Sequence, residues 1–232
     1  MYLQNRFVFL AYKVLFLFLC LWGLYLNSGL PQGTIQWHVL DYYTIQSNIL
    51  CLLYFAWSFY KNLREGEETG RVYTPAPRLK GAITFCITVT MLIYHFILVP
   101  VQFSMGNAAI VYSTGNILVH YVVPGMVILD WILFDKKGRW KIYDPFLWLV
   151  IPYVYFVFAI VRAHFRGNIP GTQSRYPYGF INIDQYGWEQ VLMNAGKLTL
   201  VFLLIGFLYV CMDRLLSRLY HTDKRTKIRA YF

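Results

Sequence analysis

Charge is scarce in this chain. Asp, Glu, Lys and Arg make up 14% of its 232 residues, where a soluble domain carries about a quarter. That shortage excludes an ordinary water-facing surface. Cysteine is scarce as well. Cys20, Cys51, Cys86 and Cys211 are the whole complement, and they show none of the paired spacings of a zinc or thiol-redox site. All four fall inside apolar runs, where a thiol packs as a small hydrophobe, so no disulfide and no structural metal are expected. No repeat, low-complexity tract or linker-like stretch divides the sequence, which points to a single domain over 1–232. Two connections, 27–38 and 104–114, contain no Lys or Arg.

What is present is apolar. Hydrophobic residues make up 58% and aromatic residues 19%, with a mean hydropathy of +0.44. Runs of about 20 residues, the length that crosses a hydrocarbon core, occupy roughly 8–26, 39–60, 81–103, 115–134, 145–164 and 194–216. The expected fold class is all-α: a polytopic membrane protein with six transmembrane helices in one bundle. Leu26-Asn27-Ser28 offers no small-x-small cleavage pattern, so the first run reads as a helix rather than a signal peptide.

The basic residues orient the spans. Segment 61–80 carries Lys61, Arg64, Arg71, Arg78 and Lys80, and 135–144 carries Lys136, Lys137, Arg139 and Lys141. The tail adds Arg218, Lys224, Arg225, Lys227 and Arg229. These alternate with the Lys/Arg-free connections, which places both termini in the cytoplasm of a cell-membrane protein. The net charge of +10 then faces anionic lipid heads. It is spread over short loops rather than one patch, so no nucleic-acid partner is expected. The sequence carries no signal for an oligomeric state. One outer segment breaks the rule with Arg162, Arg166 and Arg175. These either anchor at the interface, their heads reaching for phosphates, or hold an anionic group near a site.

The second run opens with "WHVLDYYTIQSNIL", too polar for lipid. Polar groups in a span usually face the bundle interior or a wet cavity. Asp41, Thr44 and Asn48 are spaced by three and four and share a helix face. With the second and fourth runs both entering from outside, Thr44 and His120 each fall roughly 8 Å below the outer surface. Asn116 stands one turn above His120, and His95 on the third run comes to a similar level. A pocket lined by Asp41, Thr44, Asn48, His95, Asn116 and His120 is therefore expected in the outer half. Interhelical hydrogen bonding accounts for the same residues equally well. A hydroxyl nucleophile needs a base within reach, and Thr44 with His120 supplies that pair. A carboxylate that orients the imidazole is sought in Asp41 or the loop residue Asp184. Asp130, about 15 Å along the axis from His120, is expected to pair with a basic loop residue or to cap a helix end.

These residues carry a resemblance. A threonine in a Trp37-led entry, "NILVHYVVPGMVILD" with Asn116, His120, Pro124 and Asp130, "YPYGF" at Tyr176–Phe180, and the six-span plan together resemble the androgen-induced-gene and androgen-dependent TFPI-regulating protein family and its small bacterial six-helix relatives. The resemblance implies an intramembrane threonine hydrolase acting on fatty-acid esters such as fatty-acid esters of hydroxy fatty acids. It implies essential roles for Thr44 and His120, with membrane lipids and a lipid-ester substrate as partners and no cofactor. Its proline follows the histidine after four residues, where eukaryotic members have five. A non-enzymatic lipid- or metabolite-binding or transport protein is the competing class, although no inverted repeat supports transport. A haem or metal held between His95 and His120 is a third reading. The outer loop 165–193 is expected to cover the mouth of the bundle, with Tyr176, Tyr178, Phe180, Tyr186 and Trp188 forming an interfacial aromatic belt.

Overall fold

A computed structural model describes residues 3–69 and 72–229, without the side chains of 66–69 and 220–229. Arg71, Lys224, Arg225, Lys227 and the Arg229 side chain, used in the charge argument, lie outside the described residues. Among the described residues six long helices stand out: α1 (Arg6–Asn27), α2 (Tyr43–Thr69), α3 (Pro77–Ser104), α4 (Thr114–Phe134), α5 (Asp144–Phe165) and α6 (Ile183–Arg229). No strand occurs among the described residues. Five of the six, all but α2, are long and apolar enough to cross a membrane. Outward-facing Leu15, Phe18, Leu21 and Trp22 on α1 are largely exposed, as befits a surface solvated by lipid rather than water.

The expected second run needs a correction. Residues Trp37–Asp41 form a 3-10 turn, Tyr42 is extended, and α2 begins at Tyr43. Asp41 therefore does not share a helix face with Thr44 and Asn48. Thr44 lies in the first turn of α2, where backbone N–H groups have no intrahelical partner. At the other end of the chain α6 is broken at Gly187, whose φ of 72° suits a residue without a Cβ. The apolar helix proper follows that break.

Prolines shape α3 and α4. Each contains one π turn, Tyr94–Leu98 and Leu118–Val122, ending just before Pro100 or Pro124. In α4 the N–H of Val123 reaches back five residues to the carbonyl of Leu118. The Val119 carbonyl would ordinarily accept from Val123, and the next candidate, Pro124, has no N–H. Val119 is thus left with a free acceptor in the bundle interior. Gly23 of α1 lets the helices close over this turn: a Cβ there would come within 3.0 Å of Leu118 Cβ.

Phe16, Cys51, Phe55, Ile87, Val123 and Val127 pack as a dry layer across α1–α4. Leu3, whose N–H reaches the Leu133 carbonyl at 2.7 Å, and Ser217 of α6, which lies against Gly138, stand at one end of the bundle. Thr44 and the loop 166–182 lie at the opposite end.

Candidate active site

Thr44 and His120 meet. Thr44 Oγ1 and His120 Nε2 are 3.1 Å apart, and each residue is 8% exposed. His120 Nδ1 lies 3.0 Å from the Asn116 carbonyl, one turn back. A carbonyl only accepts, so Nδ1 carries the ring proton and Nε2 presents its lone pair. The Thr44 hydroxyl must then be the donor. The imidazole is held flat against Tyr94, with ring centroids 3.6 Å apart.

The surrounding amides fix this pair rather than extend it. Asn48 Nδ2 donates to the Thr44 carbonyl at 2.8 Å and to the free Val119 carbonyl at 3.1 Å. Pro124 thus explains Asn48: the acceptor the proline leaves open on α4 is closed from α2. Asn116 Nδ2 donates to the Tyr94 hydroxyl and to the Val111 carbonyl. Both hydrogens of each amide are committed, so neither amide is free to donate to a substrate. Ser47 Oγ bridges the Thr44 carbonyl and Thr90 Oγ1, 2.8 Å away.

Several expected members stand elsewhere. Asp41 pairs with Arg162 (Nε to Oδ2, 3.0 Å) and does not orient His120. A backbone carbonyl does that. Arg162 is buried, and its Nη1 also donates to the carbonyls of Gly167 and Arg175. These bonds tie the loop 166–182 to the entry of α2. Arg166 is exposed at the end of α5. Asp184 is held by Arg175, Nε to Oδ2 at 2.6 Å, away from any imidazole. His95 is exposed and bonds Tyr121. Its neighbour Tyr94 faces inward because it follows the buried Thr90 by four positions, and His95 is a further 100° or so round the helix. The spacing of Thr90 and Tyr94 was a usable signal.

The loop covers the Thr44 end, but not with a belt of rings. Tyr176 and Tyr178 are buried, while Tyr186 and Trp188 are exposed. Tyr178 packs edge-on to Tyr42 and parallel to Phe180, and it lines the same cavity as Tyr43 and Thr44. No periodicity in a loop reveals such a contact.

A cavity of about 90 Å³ starts at Thr44. Its other walls are almost wholly apolar, among them Val89, Ile93, Phe156, Leu198 and Phe202. It follows the seam between α6 and the Val150–Phe165 part of α5, while the first turns of α5 pack directly on α6, Pro145 against Gly206 and Phe146 against Phe207. At the opposite end of the bundle Asp130 is fully buried, bonded to Lys13 at 2.5 Å and to Lys80. Lys80 also lies 3.6 Å from Asp135. Asp130 thus pairs with Lys80 of the basic segment 61–80, as expected, but it does so inside the bundle, because Lys80 stands in the first turn of α3 rather than in a loop. Lys13, a lone cation in the first apolar run, is visible in the sequence, yet its role emerges only from this contact. The four thiols are free. Neither a family model nor a curated protein nor a solved structure matches the chain.

Proposed function

We propose that this protein is an integral membrane hydrolase of lipid esters, with Thr44 as nucleophile and His120 as general base. The observation that carries this reading is the Thr44–His120 hydrogen bond, in which the Asn116 carbonyl turns the imidazole lone pair toward the hydroxyl. In this reading Thr44 Oγ1 bonds to the acyl carbon, its proton passes to His120 Nε2, and the carbonyl π pair moves to oxygen. The tetrahedral adduct collapses, the ester C–O bond breaks, and the departing alkoxide takes the proton from His120. Water then repeats the sequence on the acyl-threonine, releasing a carboxylic acid and restoring Thr44.

The cavity supports a substrate with a long apolar acyl chain. Apolar side chains of α3, α5 and α6 along this cavity would hold such a chain beside Thr44. The resemblance to intramembrane threonine hydrolases supports fatty-acid esters of hydroxy fatty acids as the class to assay first. We further propose that α2 is a sixth span and that both termini are cytoplasmic. The polar side of α2 (Thr44, Ser47, Asn48, Ser58, Asn62) is buried against the other helices, so lipid meets only its other side. Purified protein is assayed on a panel of long-chain esters beside Thr44→Ala and His120→Ala. Turnover that survives Thr44→Ala would sink the assignment. A binder without chemistry would instead retain lipid in both variants and turn over none.

A further inference from the structure

The reaction above places a negative charge on the former carbonyl oxygen, and donors aimed at that oxygen are usually a large part of catalysis. Asn48 and Asn116 are spent. The α2 N-terminus offers two others. The N–H groups of Tyr43 and Thr44 make no backbone hydrogen bond, as expected in a first helical turn. One of them belongs to the nucleophile itself, a disposition that also serves serine hydrolases. Tyr178, 8% exposed, comes from the loop to pack edge-on against Tyr42 at the start of α2. It lines the same cavity as Thr44.

We infer that Tyr178 is a third catalytic residue, whose hydroxyl donates a hydrogen bond to the developing oxyanion beside the N–H groups of Tyr43 and Thr44. This rests on the ester-hydrolase reading of Thr44 and His120. A phenol oxygen can accept from a backbone N–H while its own hydrogen points elsewhere. A hydroxyl at the helix end can therefore turn its hydrogen to the acyl oxygen as charge builds there. The loop is pinned for this task. Arg162 holds the carbonyls of Gly167 and Arg175 on one side and Asp41 on the other, three residues before Thr44. Arg162 is thus a positioning residue, and Tyr178 shares the cavity in which Thr44 would meet the ester.

The test uses the full chain in lipid nanodiscs, with a long-chain ester and the matching thionoester, whose sulfur accepts hydrogen bonds poorly. Tyr178→Phe keeps the ring and its packing. It is expected to lower kcat on the oxygen ester about 100-fold or more, with KM and melting temperature near wild type. The thionoester rate falls much less, so the ratio of the two rates narrows. Equal loss on both esters, or an unchanged kcat, overturns the role of Tyr178 and leaves Thr44 and His120 standing. Absence of Thr44-dependent turnover in the wild type overturns both readings. Should Tyr178→Phe fail to fold, 3-fluorotyrosine at position 178 retains the shape and sharpens the donor. A rate ratio unmoved by that change also overturns the proposal.

Discussion

Two buried polar layers share helix α4, ten residues apart, and they are built in opposite ways. At His120 every partner is neutral: Thr44, Asn48, Asn116, Tyr94 and a set of backbone carbonyls. At Asp130 every partner is ionic: Lys13, Lys80 and, through Lys80, Asp135. The first layer borders a cavity at Thr44. In the second, Lys13, Lys80 and Asp130 are sealed in at 1%, 1% and 0% exposure, while Asp135 at its edge lines a separate cavity with Tyr73, Trp131 and Asp213. Phe16, Phe55, Val123 and Val127 keep the two apart. The ionic layer has each charge matched, and the ammonium groups also lie over the Phe55 ring, at 4.0 Å for Lys13 and 4.9 Å for Lys80. Nothing there is left over to react. The neutral layer leaves a hydroxyl facing an imidazole lone pair, and next to it the buried Asn48 Oδ1 has no hydrogen-bond partner among the described residues.

The comparison teaches that burial of polar groups in a bundle does not by itself mark a site. What distinguishes the layers is whether the hydrogen-bonding capacity is consumed within the protein. Two substitutions break the comparison most sharply. Thr44→Ala is expected to lower ester turnover by at least about 10³-fold while melting near wild type. Asp130→Ala should do the reverse. Leaving two buried ammonium groups unmatched costs about 3–5 kcal/mol, read as a large drop in melting temperature. If Asp130→Ala melts like wild type, the ionic layer is not what holds that end together.

Smaller changes sharpen the contrast. Asp41→Asn weakens a charged hydrogen bond to buried Arg162, worth about 2 kcal/mol. Its signature is faster hydrogen exchange in the loop 166–182, with the Asp130 end unaffected. Pro124→Ala restores an N–H that the Val119 carbonyl can take in place of Asn48. We expect about a tenfold loss of kcat, roughly 1.4 kcal/mol, with little effect on melting. The smallest effect concerns Glu65, outside both layers. Hydrogen bonds from Lys61 and Tyr73 hold its carboxyl below the usual range. A lowered folded value means the tie contributes at pH above the ordinary glutamate value of about 4.3 and fades as pH falls through the folded value. Exchange near Tyr73 should thus differ between wild type and Glu65→Gln at neutral pH. The difference should vanish in acid below the folded value.

The residues themselves say why some of this was readable and some was not. Apolar run lengths were sufficient for the helical class and for five of the helices, because a helix in lipid satisfies its own backbone and needs only length and hydropathy. The pairing of Thr44 with His120 also followed from sequence. Two residues at equal depth on neighbouring helices have little room to be elsewhere. Tertiary structure decided the rest, through effects with no local signature. The extended Tyr42 detached Asp41 from the Thr44 face and left it to Arg162, 121 positions away. The π turn ahead of Pro124 opened the Val119 carbonyl that Asn48 fills. The orienting acceptor for His120 proved to be a backbone carbonyl, which every residue carries and no motif announces. Lys13 found Asp130 across 117 positions, because a charge in a dry interior must find its opposite wherever the packing places one. Tyr178 came to Thr44 from a loop, where no periodicity fixes which side chains turn inward.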